Sequence, residues 1–96
     1  MDIGKAIKTL RVSRGLTQKQ LADKVGCSET NMIFMETGRS FPRMEKIESI
    51  CKALDVPQSY LLVFSLTKED IPEGKQGLYE SRVAPLRDEL INDLLK

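Results

Sequence analysis

Apolar side chains recur over the first 64 residues at three- and four-residue intervals, a pattern that predicts helices rather than strands. Ile3, Ile7, Leu10 and Arg14, with Ala6 and Arg11 beside them, place a first helix over about residues 2–14, and Gly15 ends it. Thr17 stands as N-cap of a second helix over 18–25 that buries Leu21, Ala22 and Val25. Ser28 stands as N-cap of a third over 29–36 that buries Met32 and Met35, with Gly38 just past its end. Ser and Thr accept hydrogen bonds from unpaired first-turn amides, and glycine tolerates the positive φ that stops a helix. Met44, Ile47, Ile50, Cys51 and Leu54 form the stripe of a fourth helix over 43–54, which begins after Pro42. Asp55-Val56-Pro57 breaks that stripe. Pro57 then opens a fifth helix over 57–63, with Tyr60, Leu61 and Phe64 supplying apolar surface. Nothing alternates with period two over a useful length, so the fold class is all-α: a compact five-helix bundle with a C-terminal helical extension.

Beyond Ser65 the pattern weakens. Thr67-Lys68-Glu69-Asp70 has the form of a capping box, while Pro72, Gly74 and Gly77 oppose a long continuous helix. Leu86, Leu90, Ile91, Leu94 and Leu95 make an apolar face on a helix over 84–95, with Pro85 near its start. Such a face needs a surface to cover it. It either packs back on the domain or meets a second subunit or another protein, through Leu86, Leu90 and Leu94. The chain thus divides into a unit over 1–64 and an extension over 65–96.

Ninety-six residues, 41% apolar and 30% charged, fit one globular domain with a modest core. No apolar run approaches the roughly 18–20 residues that span a bilayer, and Met1-Asp2-Ile3-Gly4-Lys5 lacks the apolar stretch of a secretory signal. Cytoplasmic residence is the default expectation. Cys27 and Cys51 occur without any histidine, which excludes the usual Cys/His zinc spacings and a Cys–His nucleophile. Carboxylates are scattered and no glycine-rich phosphate loop is present, so the expectation is a non-enzyme without cofactor or metal. Net charge is only +1, yet residues 1–64 carry ten Lys/Arg against seven Asp/Glu, and residues 65–96 five against seven. A basic front with an acidic tail suits a DNA-facing unit followed by a segment that faces elsewhere.

The capped pair over residues 15–38 has the dimensions of a helix-turn-helix, which projects its second helix into the major groove of DNA. With Met32 and Met35 pointing inward, 100° per residue puts Thr30, Phe34 and Thr37 on the outward face. Glu29 and Ile33 flank that face on one side and Asn31 on the other. Thr30 can donate or accept at a base edge or touch a thymine methyl, Glu29 can accept from cytosine N4, and Phe34 can lie against a thymine methyl. Gln18, in the first turn of the second helix, can donate its amide to a phosphate beside the positive end of the helix dipole.

From Ile7 to Leu62 the chain resembles the XRE-type helix-turn-helix family, to which the phage lambda Cro protein and repressor belong. The resemblance is carried by Leu10-Arg11, Gly15-Leu16-Thr17-Gln18, Leu21-Ala22, Val25-Gly26, Ser28, Met35-Glu36, Gly38, Pro42, Ile47, Ala53-Leu54 and Val56. It implies a five-helix bundle and a sequence-specific transcriptional regulator that binds double-stranded DNA as a homodimer on two half-sites, about 34–36 Å apart or a multiple of that. It also implies roles for single residues. Gln18 matches a phosphate contact, and Arg11 and Glu36 match a pair that meets between the first and third helices. Glu29, Thr30 and Phe34, with Ile33 beside them, match the base-reading positions. Lys19, Thr37, Arg39, Ser40 and Arg43 lie where the family tracks phosphates, and Thr17 and Asn31 join that set. The reading helix itself holds no Arg, Lys or Gln. Readout then depends on thymine methyls, shape and backbone contacts, or Ile33 and Phe34 serve a protein-binding surface instead. A repressor-like regulator is the first expectation. The second is a protein-interaction module, such as an antitoxin-like partner acting through the acidic tail.

Overall fold

The computed structural model describes residues 1–95. Its α-helices are α1 (Ile3–Ser13), α2 (Gln18–Val25), α3 (Glu29–Thr37), α4 (Met44–Leu54), α5 (Gln58–Ser65) and α6 (Ala84–Leu95). A 3-10 turn lies at Lys68–Asp70 and a π-helical turn at Tyr79–Val83; among the described residues there is no strand. The fold is the expected all-α bundle, with each of the first five helices within two residues of its anticipated bounds. Among the described residues, no helix is long and apolar enough to cross a membrane.

Local chemistry sets the boundaries. Asp2 caps α1 by accepting from the Lys5 amide at 2.9 Å. Thr17 and Gln20 close a reciprocal capping box on α2, with the Thr17 hydroxyl accepting from the Gln20 amide and the Gln20 side chain from the Thr17 amide. Ser28 caps α3 through the Asn31 amide at 3.0 Å. Gly26 and Gly38 follow α2 and α3 at φ 82° and 83°, the left-handed conformation that glycine adopts without steric cost. Between α2 and α3 this leaves only a short turn, which holds the pair at a fixed angle.

One core joins α1 to α5. Ile7, Leu10, Leu21, Met32, Ile50 and Leu54 are completely or almost completely buried in it, and Phe64 closes the α5 side. Met44 departs from the anticipated stripe: at the start of α4 it is 62% exposed, whereas Ile50, Cys51 and Leu54 of the same stripe are buried. Burial raises the Cys51 thiol pKa by disfavouring the thiolate.

The tail folds back. Thr67 and Asp70 form the capping box anticipated there, although on a single 3-10 turn. A helix then begins at Gly77, earlier than expected, and runs on through Pro85. Proline lacks an N–H and its ring collides with the carbonyl four residues back, so an ordinary α-helix breaks or kinks there. Here the preceding turn widens to π geometry, with the Ala84 amide donating to the Tyr79 carbonyl. α6 lies against α1 and α5, and Leu90, Ile91 and Leu94 pack half-buried on the core, while Leu86 stays exposed.

Arg14 fastens this arrangement. Its Nε donates to the Leu54 carbonyl at 2.7 Å and one terminal nitrogen to the Asp55 carbonyl at 2.8 Å. The other reaches the Leu94 carbonyl at 3.4 Å. One cation thus sits at the C-terminal, partially negative ends of α4 and α6. Replacing Arg14 with Ala is expected to cost about 1.5–3 kcal/mol, the range for hydrogen bonds to a charged group. In urea titration this appears as a lower midpoint with an unchanged slope.

Candidate nucleic-acid interface

α3 presents three kinds of surface. Met32, Met35 and Glu36 are buried, and Glu29, Thr30, Asn31 and Thr37 are exposed. Ile33 and Phe34 are half-buried. The outward face is therefore the one anticipated from helical geometry, with Phe34 less free than a bare outward aromatic. Arg39 lies beside it, with its guanidinium carbon 5.4 Å from the Phe34 ring centroid. The loop after Gly38 curls back because the Phe34 carbonyl accepts from the Arg39 and Ser40 amides at 2.9 and 3.2 Å.

Behind this face, a buried polar network fixes the orientation of α3. Arg11 Nε donates to Glu36 Oε2 at 2.7 Å and its Nη2 to Oε1 at 3.0 Å, a bidentate pair with the Glu36 side chain 1% exposed. The remaining terminal nitrogen of Arg11 donates to the Leu16 carbonyl at 2.8 Å. Gln18 Nε2 donates to Glu36 Oε1 at 3.2 Å. A single carboxylate at the end of α3 is thereby tied to both α1 and α2. The anticipated contact between Arg11 and Glu36 is present, and Gln18, expected at a phosphate, makes this inward bond to the same carboxylate. One of its amide hydrogens is committed inward, and the second is not used by that bond.

Six of the eight anticipated phosphate contacts fall into two groups. Thr17, Gln18 and Lys19 stand at the start of α2; the Thr17 oxygen accepts from Gln20, so its hydroxyl hydrogen remains available to donate. Asn31, Ser40 and Arg43 line one cleft of about 450 Å³ beside α3. Thr37 is placed differently from expectation in one respect: its hydroxyl donates to the Ile33 carbonyl at 2.9 Å, which occupies its only donor.

Residues 2–61 match the family model described as a helix-turn-helix domain. The chain belongs to the helix-turn-helix domain family. Its curated relatives include the immunity repressor protein of Bacillus phage phi105, 30% identical over all of this chain and 67% of that protein. The cryptic phage CTXphi transcriptional repressor RstR of Vibrio cholerae is 31% identical over 88% of this chain and 77% of its own length. The HTH-type transcriptional activator BcrR of Enterococcus faecalis is 34% identical over 65% of this chain, which spans only 30% of it.

Two features of this helix-turn-helix domain escaped the residue pattern. Lys46 joins Arg43 in the cleft beside α3, one helical turn further along α4; its spacing from Arg43 was the available signal. Phe41 is 76% exposed in the loop between α3 and α4, directly between Ser40 and Pro42. Nothing in its sequence context separated it from a loop residue turned inward.

Proposed function

We propose that this DNA-binding transcriptional regulator acts as a repressor-like homodimer on a two-part operator, with α3 in the major groove of each half-site. The observation that carries this reading is the brace behind α3: Glu36, held by Arg11 and Gln18, locks a helix whose opposite face exposes Thr30. Base contacts specify only when their helix is held in register, and a rigid element delivers that better than a loop. Thr17, Gln18 and Lys19 at one end, and Ser40 and Arg43 at the other, then clamp the phosphates flanking the groove. Pairing of two copies draws on α5 and α6, where Leu62 and Leu86 remain exposed. Residence in the cytoplasm, with the DNA, belongs to the same reading.

The test is binding to random-sequence duplex as salt rises from about 50 to 200 mM, read by fluorescence anisotropy. Each phosphate contact contributes roughly 0.9 to the slope of log affinity against log salt. The wild type is expected to weaken steeply, and the Lys19→Ala, Arg43→Ala double variant to lose about two units of slope. Absence of binding to any duplex at about 50 mM salt overturns the proposal. Selection of bound sequences from a random library then supplies the operator, expected as inverted half-sites spaced by about one helical turn or a multiple.

A further inference from the structure

α3 carries no Arg, Lys or Gln, the residues that grip purines most often, yet its outward face is not without a guanidinium. Arg39 reaches that face from outside the helix. Its charge sits over the Phe34 ring, and Phe34 lies on the side of α3 opposite buried Met32 and Met35. We propose that Arg39 is a guanine-reading residue of this interface, held for that task by Phe34. This inference rests on the DNA-binding reading above and names a specificity determinant within it.

Three physical points prepare Arg39 for a directed, bidentate contact, and its place selects the base edge. The Arg39 guanidinium stands over the ring, 5.4 Å from its centroid, and its planar fork of N–H donors matches guanine O6 and N7. Attraction between the cation and the ring also favours this placement of the group, so less freedom is lost when the two hydrogen bonds form. Finally, the backbone is fixed at the same place, because the amides of Arg39 and Ser40 both donate to the Phe34 carbonyl and Gly38 turns the chain at φ 83°. A bidentate phosphate contact uses the same planar fork, so it is location that favours the base edge: the group stands over Phe34, on the outward face that α3 turns to the groove, rather than at a helix end flanking it.

The decisive comparison is Arg39→Lys, which keeps the charge and loses the planar fork. Wild type, Arg39→Lys and Phe34→Leu are titrated against the selected operator and every single-base variant of one half-site, with the salt slope measured for each. Arg39→Lys is expected to retain the wild-type slope while losing preference for guanine at one base pair by about 10- to 100-fold. Phe34→Leu should weaken the preference at that same base pair, since the apolar contact survives and the stacking face does not. A uniform loss across all sequences, or an unchanged base preference in Arg39→Lys, overturns the inference and leaves Arg39 a phosphate contact. Failure of the wild type to bind any duplex overturns the DNA-binding reading itself, and the inference with it, so the two failures are distinguishable.

Discussion

Replacing Glu36 with Ala is expected to remove about 3–5 kcal/mol of folding stability, because it leaves the Arg11 guanidinium buried without its counter-charge. Small domains hold only about 5–15 kcal/mol in total, so the variant keeps a fraction of its stability. At about 4–8 °C per kcal/mol for a chain of this size, the melting temperature falls by roughly 12 °C at the least. The loss reflects stranding more than the worth of the pair. Desolvating both ions has already consumed much of their mutual attraction, so removing both together should be far milder. An Arg11→Met, Glu36→Leu double variant is therefore expected to recover most of the stability that Glu36→Ala loses. It will not recover all of it, since the Leu16 carbonyl and the Gln18 amide each lose a partner. Calorimetry of the two variants checks this; equal destabilisation in both would mean that the pair itself, rather than the orphaned charge, carries the energy.

Gly4→Ala is expected to be comparably damaging, for a steric reason. A Cβ at that position falls inside the van der Waals envelope of the Met35 and Glu36 carbonyl oxygens. α1 crosses α3 here with backbone against backbone, and neither carbonyl can swing aside as a side-chain tip would. Overpacking in a core typically costs about 1–3 kcal/mol and sometimes more. The backbone clash puts this case at the upper end, even after the gain of roughly 1 kcal/mol from replacing glycine by alanine within a helix. Gly77→Ala provides the internal control, because nothing lies within 4 Å of a Cβ there. Thermal melts should separate the two by roughly 10 °C or more. The Gly4 variant should also bind DNA more weakly than its remaining folded fraction accounts for, since admitting the methyl forces α1 and α3 apart.

These two sites also mark where the residue pattern stopped being informative. The helices of the bundle were legible because their signals are local: Thr17, Ser28 and the glycines after α2 and α3 act on amides within a few residues. The Arg11–Glu36 pair was legible only through resemblance, since 25 positions separate the partners. Gly4 gave no sign at all. A glycine within an otherwise helical stretch reads as a mild weakness until another backbone is known to lie against it. Arg14 followed the helical stripe like a core position, whereas its real partners stand 40, 41 and 80 positions away. At the candidate interface, helical geometry ranked the faces of α3 correctly. It placed Phe34 in open solvent because it carries no information about a loop that returns over the helix from beyond Gly38.

The widened turn ahead of Pro85 has a consequence for how the tail is aimed. A π turn holds one residue more than the α-helical pitch requires, and every position after it is rotated by about 100° relative to an uninterrupted helix. Leu90, Ile91 and Leu94 face α1 and α5 only with that surplus residue counted in. A chain one residue shorter between Tyr79 and Val83 would swing these three side chains about 100° away from α1 and α5 without altering a single apolar side chain. Whether this tail serves its own domain or a neighbour is thus decided by arithmetic along the backbone, with composition held constant.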